Sequence, residues 1–72
     1  MEELTMTLTN YLLDQYFSSK RAMADALGVS YRMLLDVAAG HGSKKNVYAV
    51  SSHLLHYCIQ HRISLEPALQ RH

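Results

Sequence analysis

An all-α domain of five helices is the fold class this sequence predicts, and three observations predict it. Apolar residues recur at three- and four-residue intervals along most of the chain, a serine or threonine stands just ahead of each helical run, and Gly28 and Gly40 close two of the runs. At 49% hydrophobic and 18% charged, the composition is that of a globular protein rather than a disordered one. Seventy-two residues support a single domain, residues 1–72, with one small core. That is near the lower limit for folding without a disulfide, a metal or a second copy.

The first helix is predicted from Leu8 to Phe17, with Leu8, Leu12 and Tyr16 at i, i+4 and i+8 and Thr7 as its N-cap. Ahead of it, "LTMTLT" alternates with period two. Residues 1–6 therefore read as a frayed segment or a short strand, which would need pairing across a dimer. Ser19 caps a second helix, Lys20 to Leu27, ended by Gly28; Ser30 caps a third, Tyr31 to Ala39, ended by Gly40. "GHGS" forms a loop, after which Ser43 caps a long fourth helix from Lys45 to His61. Ser64 caps a short fifth, with Glu66 favoured by the helix dipole and Pro67 tolerated in the first turn.

The second and third helices meet the steric demands of two short helices crossing over a tight turn. Ala24 is small where the third helix presses on the second, and Gly28, four residues later, can take positive φ. Met23, Leu27, Val29, Leu34 and Val37 fall at the inward positions that fill the angle between them.

"RAMADALGVSYRMLLDVAAG", followed by "HLLHYCIQHRISLEPAL", resembles the phage lambda repressor and Cro superfamily of Xre-type helix-turn-helix proteins, over residues 7–70. The resemblance implies an all-α, five-helix lambda-repressor-like domain with its helix-turn-helix at residues 20–39. It also implies a small bacterial or phage transcriptional regulator, such as a repressor, that binds double-stranded DNA as a homodimer in the cytoplasm, at the nucleoid. In that family the third helix enters the major groove and the flanking segments hold phosphates. Carried over by position, Ser30, Tyr31, Arg32 and Leu35 would contact bases, while Lys20, Arg21, Lys44 and Lys45 would contact phosphates. Arg32 is the strongest reader, since its guanidinium fork matches the two major-groove acceptors of guanine.

Two departures keep a second reading open. Tyr31 stands where the family often has a polar amide, and Asp36 would approach phosphates unless paired with Arg32 four residues earlier. The alternative is a helix-turn-helix scaffold used as a protein-protein interaction module, with Tyr31 and Leu35 as interface anchors.

Net charge is only +1, but it is unevenly placed. Lys20, Arg21, Arg32, Lys44 and Lys45 outnumber Asp25 and Asp36 in the centre, while Glu2, Glu3, Asp14 and Glu66 outnumber Arg62 and Arg71 outside it. A single cysteine, Cys58, excludes an internal disulfide and fits a reducing compartment. No apolar run has membrane-spanning length, and the acidic, polar N-terminus is unlike a signal peptide.

Three histidines share the fourth helix with Cys58, but they do not converge. At about 100° and 1.5 Å per residue, His56 and His61 lie roughly 140° apart and His53 and His61 are ~12 Å apart along the axis, so no metal site is expected. No cofactor site, paired carboxylates or phosphate-cradling glycines appear either, and neither an enzyme nor a small-molecule effector is expected. Val47, Val50, Leu54, Tyr57 and Cys58 form an inward arc, and Tyr48, Leu55 and Ile59 form a second apolar stripe roughly 100° round the helix. Either the first and fifth helices cover that stripe or it is a dimer seam, which would suit a protein reading two half-sites.

Overall fold

The computed structural model describes residues 2–71. It places five helices in chain order: α1 (Glu2–Tyr16), α2 (Lys20–Leu27), α3 (Tyr31–Ala38), α4 (Lys44–Gln60) and α5 (Glu66–Arg71), with no strand among the described residues. Serine hydroxyls set where the middle three begin. Ser19 Oγ accepts from the Ala22 amide at 3.1 Å, Ser30 Oγ from Met33 at 3.1 Å and Ser43 Oγ from Asn46 at 3.2 Å. Each supplies an acceptor for an amide that the first turn leaves without one. Ser64 Oγ accepts from the Glu66 amide at 3.2 Å, and α5 starts there.

The ends of α2 and α3 are closed by glycines in the left-handed region, Gly28 at φ 76 and Gly40 at φ 84. Around Gly28, the Val29 amide donates to Ala24 O at 3.1 Å and the Gly28 amide to Asp25 O at 3.3 Å. His41 and Gly40 repeat this double closure on Asp36 O and Val37 O. The end of α4 has the same geometry without a glycine. Arg62 sits at φ 54, and the Ile63 amide donates to Cys58 O at 2.9 Å. A side chain there costs about 1–2 kcal/mol, partly offset by the smaller freedom of a non-glycine residue in the unfolded chain. Arg62→Gly should therefore stabilise the protein by roughly 0.5–1 kcal/mol, raising Tm by several degrees in a domain of this size. A lower Tm in thermal unfolding would refute this account of the α4 terminus.

The N-terminal segment departs from expectation. Residues 2–6 are neither frayed nor a strand but the first turns of α1, and Thr7 lies inside that helix instead of capping it. Met1 lies outside the described residues. The period-two alternation misleads because threonine hydroxyls bond back along the helix. Thr9 Oγ1 donates to Thr5 O at 2.7 Å and Thr7 Oγ1 to Glu3 O at 3.0 Å, so β-branched residues fit a helix with their polar atoms satisfied. Thr5, Leu8, Thr9 and Leu12 form the buried face, while Tyr16, expected to extend it, is 49% exposed.

Tertiary contact explains why α1 starts so early. Asn10 Nδ2 donates at 3.0 Å to both Met6 O and Ala38 O, tying α1 to the last carbonyls of α3. The Met6 sulfur packs against Gly40, where a Cβ would lie 3.1 Å from it. Elsewhere the boundaries differ from expectation by a residue, as α3 ends at Ala38 and α4 runs Lys44–Gln60.

The core is drawn from every helix: Leu8 and Leu12, Met23, Ala24 and Leu27, Leu34 and Val37, Val47, Val50, Leu54 and Cys58, and Ala68. Val29, expected in the angle between α2 and α3, is partly buried against it. α1 packs on α3, α4 and α5, and α2 packs on α3 and α4. This wrapping holds α3 by its Leu34 and Val37 side and leaves the side bearing Tyr31 and Arg32 in solvent. No helix of the described residues is long and apolar enough to cross a membrane.

Candidate nucleic-acid interface

The first turns of α2 and α3 meet through Arg21 and Tyr31. The Arg21 guanidinium carbon lies 4.4 Å from the centroid of the Tyr31 ring, a cation–π contact worth about 0.5–1 kcal/mol at an exposed site. Lys20, Arg21, Ser30, Tyr31 and Arg32 are thereby gathered, all exposed, around one end of α3. Ser30 uses its hydroxyl oxygen to cap Met33. Tyr31 is 38% exposed, its ring partly shielded by Arg21.

Arg32 pairs with Asp36 along the helix, Nε to Oδ1 at 3.5 Å, with the arginine side chain 84% exposed. An exposed pair of this spacing contributes about 0.3–0.5 kcal/mol. Arg32 can therefore exchange Asp36 for a better acceptor at small cost, an exchange that leaves the Asp36 carboxylate to solvent. Leu35 is half-buried and offers only part of its side chain outward.

Lys44 and Lys45 stand apart from this group. They open α4, joined by the 39–43 segment to the opposite end of α3. The eight residues of α3 at 1.5 Å rise put roughly 12 Å between its two ends. The expected phosphate contacts thus form two clusters, one at each end of the helix expected to read bases.

The helix dipole makes this placement informative. α2, α3 and α4 each carry basic residues and no acidic residue in the first turn. Cations at that positive end are disfavoured by about 0.3–1 kcal/mol. α5 follows the ordinary preference with Glu66. Three consecutive helices break a local rule in the same direction, and the free amides, dipole and side-chain charges at their starts all favour an incoming anion.

The remaining candidates lie elsewhere. Among the described residues, no group of three His, Cys, Asp or Glu side chains is placed to share a metal ion. His61 stacks on Tyr57 at 4.1 Å, and Tyr57 on Phe17 at 5.6 Å. A groove of about 290 Å³ between α1 and α5 is lined by Met6, Thr7, Asn10, Tyr11, Asp14 and Ala68. Among the described residues, Asp14 is the one carboxylate in that lining. Tyr48, Leu55 and Ile59 remain 74%, 46% and 77% exposed, so neither α1 nor α5 covers them.

Cys58 is buried, and burial pushes its thiol pKa up. The folded chain holds the thiol neutral where the unfolded chain would ionise it. This stabilisation is complete below the ordinary thiol range and is lost as pH rises through the folded value. Iodoacetamide should alkylate Cys58 at least about tenfold more slowly in the native protein at neutral pH than in denaturant. Equal rates would place the thiol at the surface.

Two contacts around the candidate site had little signal in the sequence. The Arg21–Tyr31 stack joins residues ten apart across a turn, and the Asn10–Ala38 bond joins two helices distant in sequence. Compared with known proteins, the chain matches no family model, no curated protein and no solved structure.

Proposed function

We propose that the protein is a small Xre/Cro-like regulator that binds double-stranded DNA sequence-specifically. In this reading the five helices form a lambda-repressor-like domain, α2 and α3 with the turn 28–30 form its helix-turn-helix, and α3 enters the major groove. The observation that carries this is the pair of cationic clusters, Lys20 with Arg21 and Lys44 with Lys45, set at opposite ends of α3. Lys20 and Arg21 on one side and Lys44 and Lys45 on the other hold phosphates and set register. Arg32, released from Asp36, takes the two acceptors of a guanine; Tyr31 offers its hydroxyl, Ser30 its hydroxyl hydrogen and Leu35 an apolar edge to a thymine methyl.

The competing reading, a protein-interaction module anchored by Tyr31 and Leu35, has less support. Arg21 of the same chain already covers part of the Tyr31 ring, and Leu35 is half-buried.

Titration into mixed-sequence duplex at several salt concentrations tests the proposal. Binding should weaken steeply and linearly on a log–log plot, and the absence of binding at low salt overturns it. Once a preferred site is selected from random duplexes, Arg32→Ala should lower affinity for that site by about tenfold or more, worth roughly 1–3 kcal/mol, while changing non-specific affinity only slightly. Equal loss on every sequence would make Arg32 another phosphate contact.

A further inference from the structure

The longest helix carries an apolar stripe that none of the described residues covers. Tyr48, Leu55 and Ile59, with Ser52 between them, follow one side of α4, and the three large residues are 74%, 46% and 77% exposed. Three features of this surface identify its partner.

The first is the absence of charge. From Asn46 to Gln60 there is no Asp, Glu, Lys or Arg. A surface that meets an identical copy of itself must avoid like charges at its centre, and a partner of opposite charge would find nothing there to pair with.

The second is the spacing. Tyr48, Ser52, Leu55 and Ile59 are separated by four, three and four residues, an order of intervals that is the same from either end. When two copies of α4 lie antiparallel about a two-fold axis between His53 and Leu54, Tyr48 meets the partner's Ile59 and Ser52 meets the partner's Leu55. Each large side chain at the centre then faces a small one, as close packing requires. A parallel arrangement would set Ser52 against Ser52 and leave a gap, and would align the two helix dipoles unfavourably.

The third is area. With a bare large side chain exposing on the order of 200 Å², the exposed fractions amount to roughly 400 Å² per copy, about half of the 800 Å² each partner buries in a standard interface. Exposed His56 and Gln60 flank the stripe and can extend the contact as a polar rim.

We infer that the protein self-associates as a two-fold dimer through antiparallel α4 helices, with Tyr48 of one copy against Ile59 of the other and Ser52 against Leu55. The dimer rests on the α4 surface alone and is independent of the DNA reading.

Sedimentation equilibrium from low micromolar to near-millimolar protein tests it, with circular dichroism to verify the fold of each variant. The wild-type mass should approach twice the 8.2 kDa of the chain. Tyr48→Glu and Ile59→Lys, both at exposed sites, should each weaken association at least tenfold. Mixed in equal amounts, they should re-associate, because Glu at position 48 of one copy then faces Lys at position 59 of the other. A wild-type monomer at the highest concentration overturns the dimer and leaves the stripe to a different macromolecule. A dimer that neither substitution weakens overturns this surface. Weakening without recovery in the mixture overturns the antiparallel pairing.

Discussion

Leu34→Ala is expected to remove most of the stability of the fold. Leu34 is fully buried, at 0% exposure, in the face of α3 that packs on the rest of the core. Truncating a buried leucine costs about 2–5 kcal/mol through lost transfer energy and the cavity left behind. A domain below about 80 residues commands only about 3–5 kcal/mol in total. Urea unfolding should show a midpoint near zero denaturant, with a substantial unfolded fraction in plain buffer. Leu35→Ala is the internal control, because Leu35 is only half-buried and should cost about 1 kcal/mol or less. If the two substitutions cost the same, the rotation of α3 about its axis is wrong, and with it the assignment of Arg32 and Tyr31 to the outer face.

The second large effect concerns binding rather than folding. Replacing Lys20, Arg21, Lys44 and Lys45 together by Ala should lower DNA affinity by two orders of magnitude or more near 0.1 M salt. It should also reduce the log–log salt slope by about 3–4, near 0.9 for each phosphate left without its cation. Stability should change little or rise slightly, because these cations stand at the unfavourable ends of α2 and α4. Removing the Arg21–Tyr31 stack offsets part of that gain. Reduced binding with unchanged thermal stability therefore separates the loss of an anion site from a damaged fold. Unchanged binding at low salt would remove the clamp residues from the proposal. Comparing the Lys20/Arg21 and Lys44/Lys45 double variants adds a geometric check, since each cluster flanks a different end of α3 and each should remove about half of the change in slope.

What was legible in the sequence was whatever depends on near neighbours along the chain. Ser19, Ser30 and Ser43 announced three helix starts because a cap bonds an amide three residues on. Gly28 and Gly40 announced two ends because few other residues tolerate positive φ. The inward positions Met23, Leu27, Leu34 and Val37 could be read from helical periodicity, and all four are buried. The Arg32–Asp36 pair followed from i, i+4 spacing alone. These are local rules, and the chain obeys them.

Where long-range contact competes with a local signal, the structure decided. "LTMTLT" carries the alternation of a strand, yet it is helical, because Asn10 and Met6 dock α1 onto the end of α3 and threonine hydroxyls bond back within the helix. Arg62 gave no sign that it would take the left-handed geometry usually left to glycine, since what demands it is the turn that lets Ile63, Leu65 and Ala68 reach the core. The sequence showed two apolar stripes on α4, but only the packed molecule distinguishes the buried one from the one left in solvent, because a helix has no inside until its neighbours are placed. The sequence by itself therefore determined α2 to α5, their serine caps and the residue types at their starts, but neither the start nor the cap of α1. The tertiary structure decided which faces those helices bury, that Arg21 reaches Tyr31, and that Tyr48, Leu55 and Ile59 remain exposed, because burial and contact across elements are properties of the folded arrangement and not of any one segment.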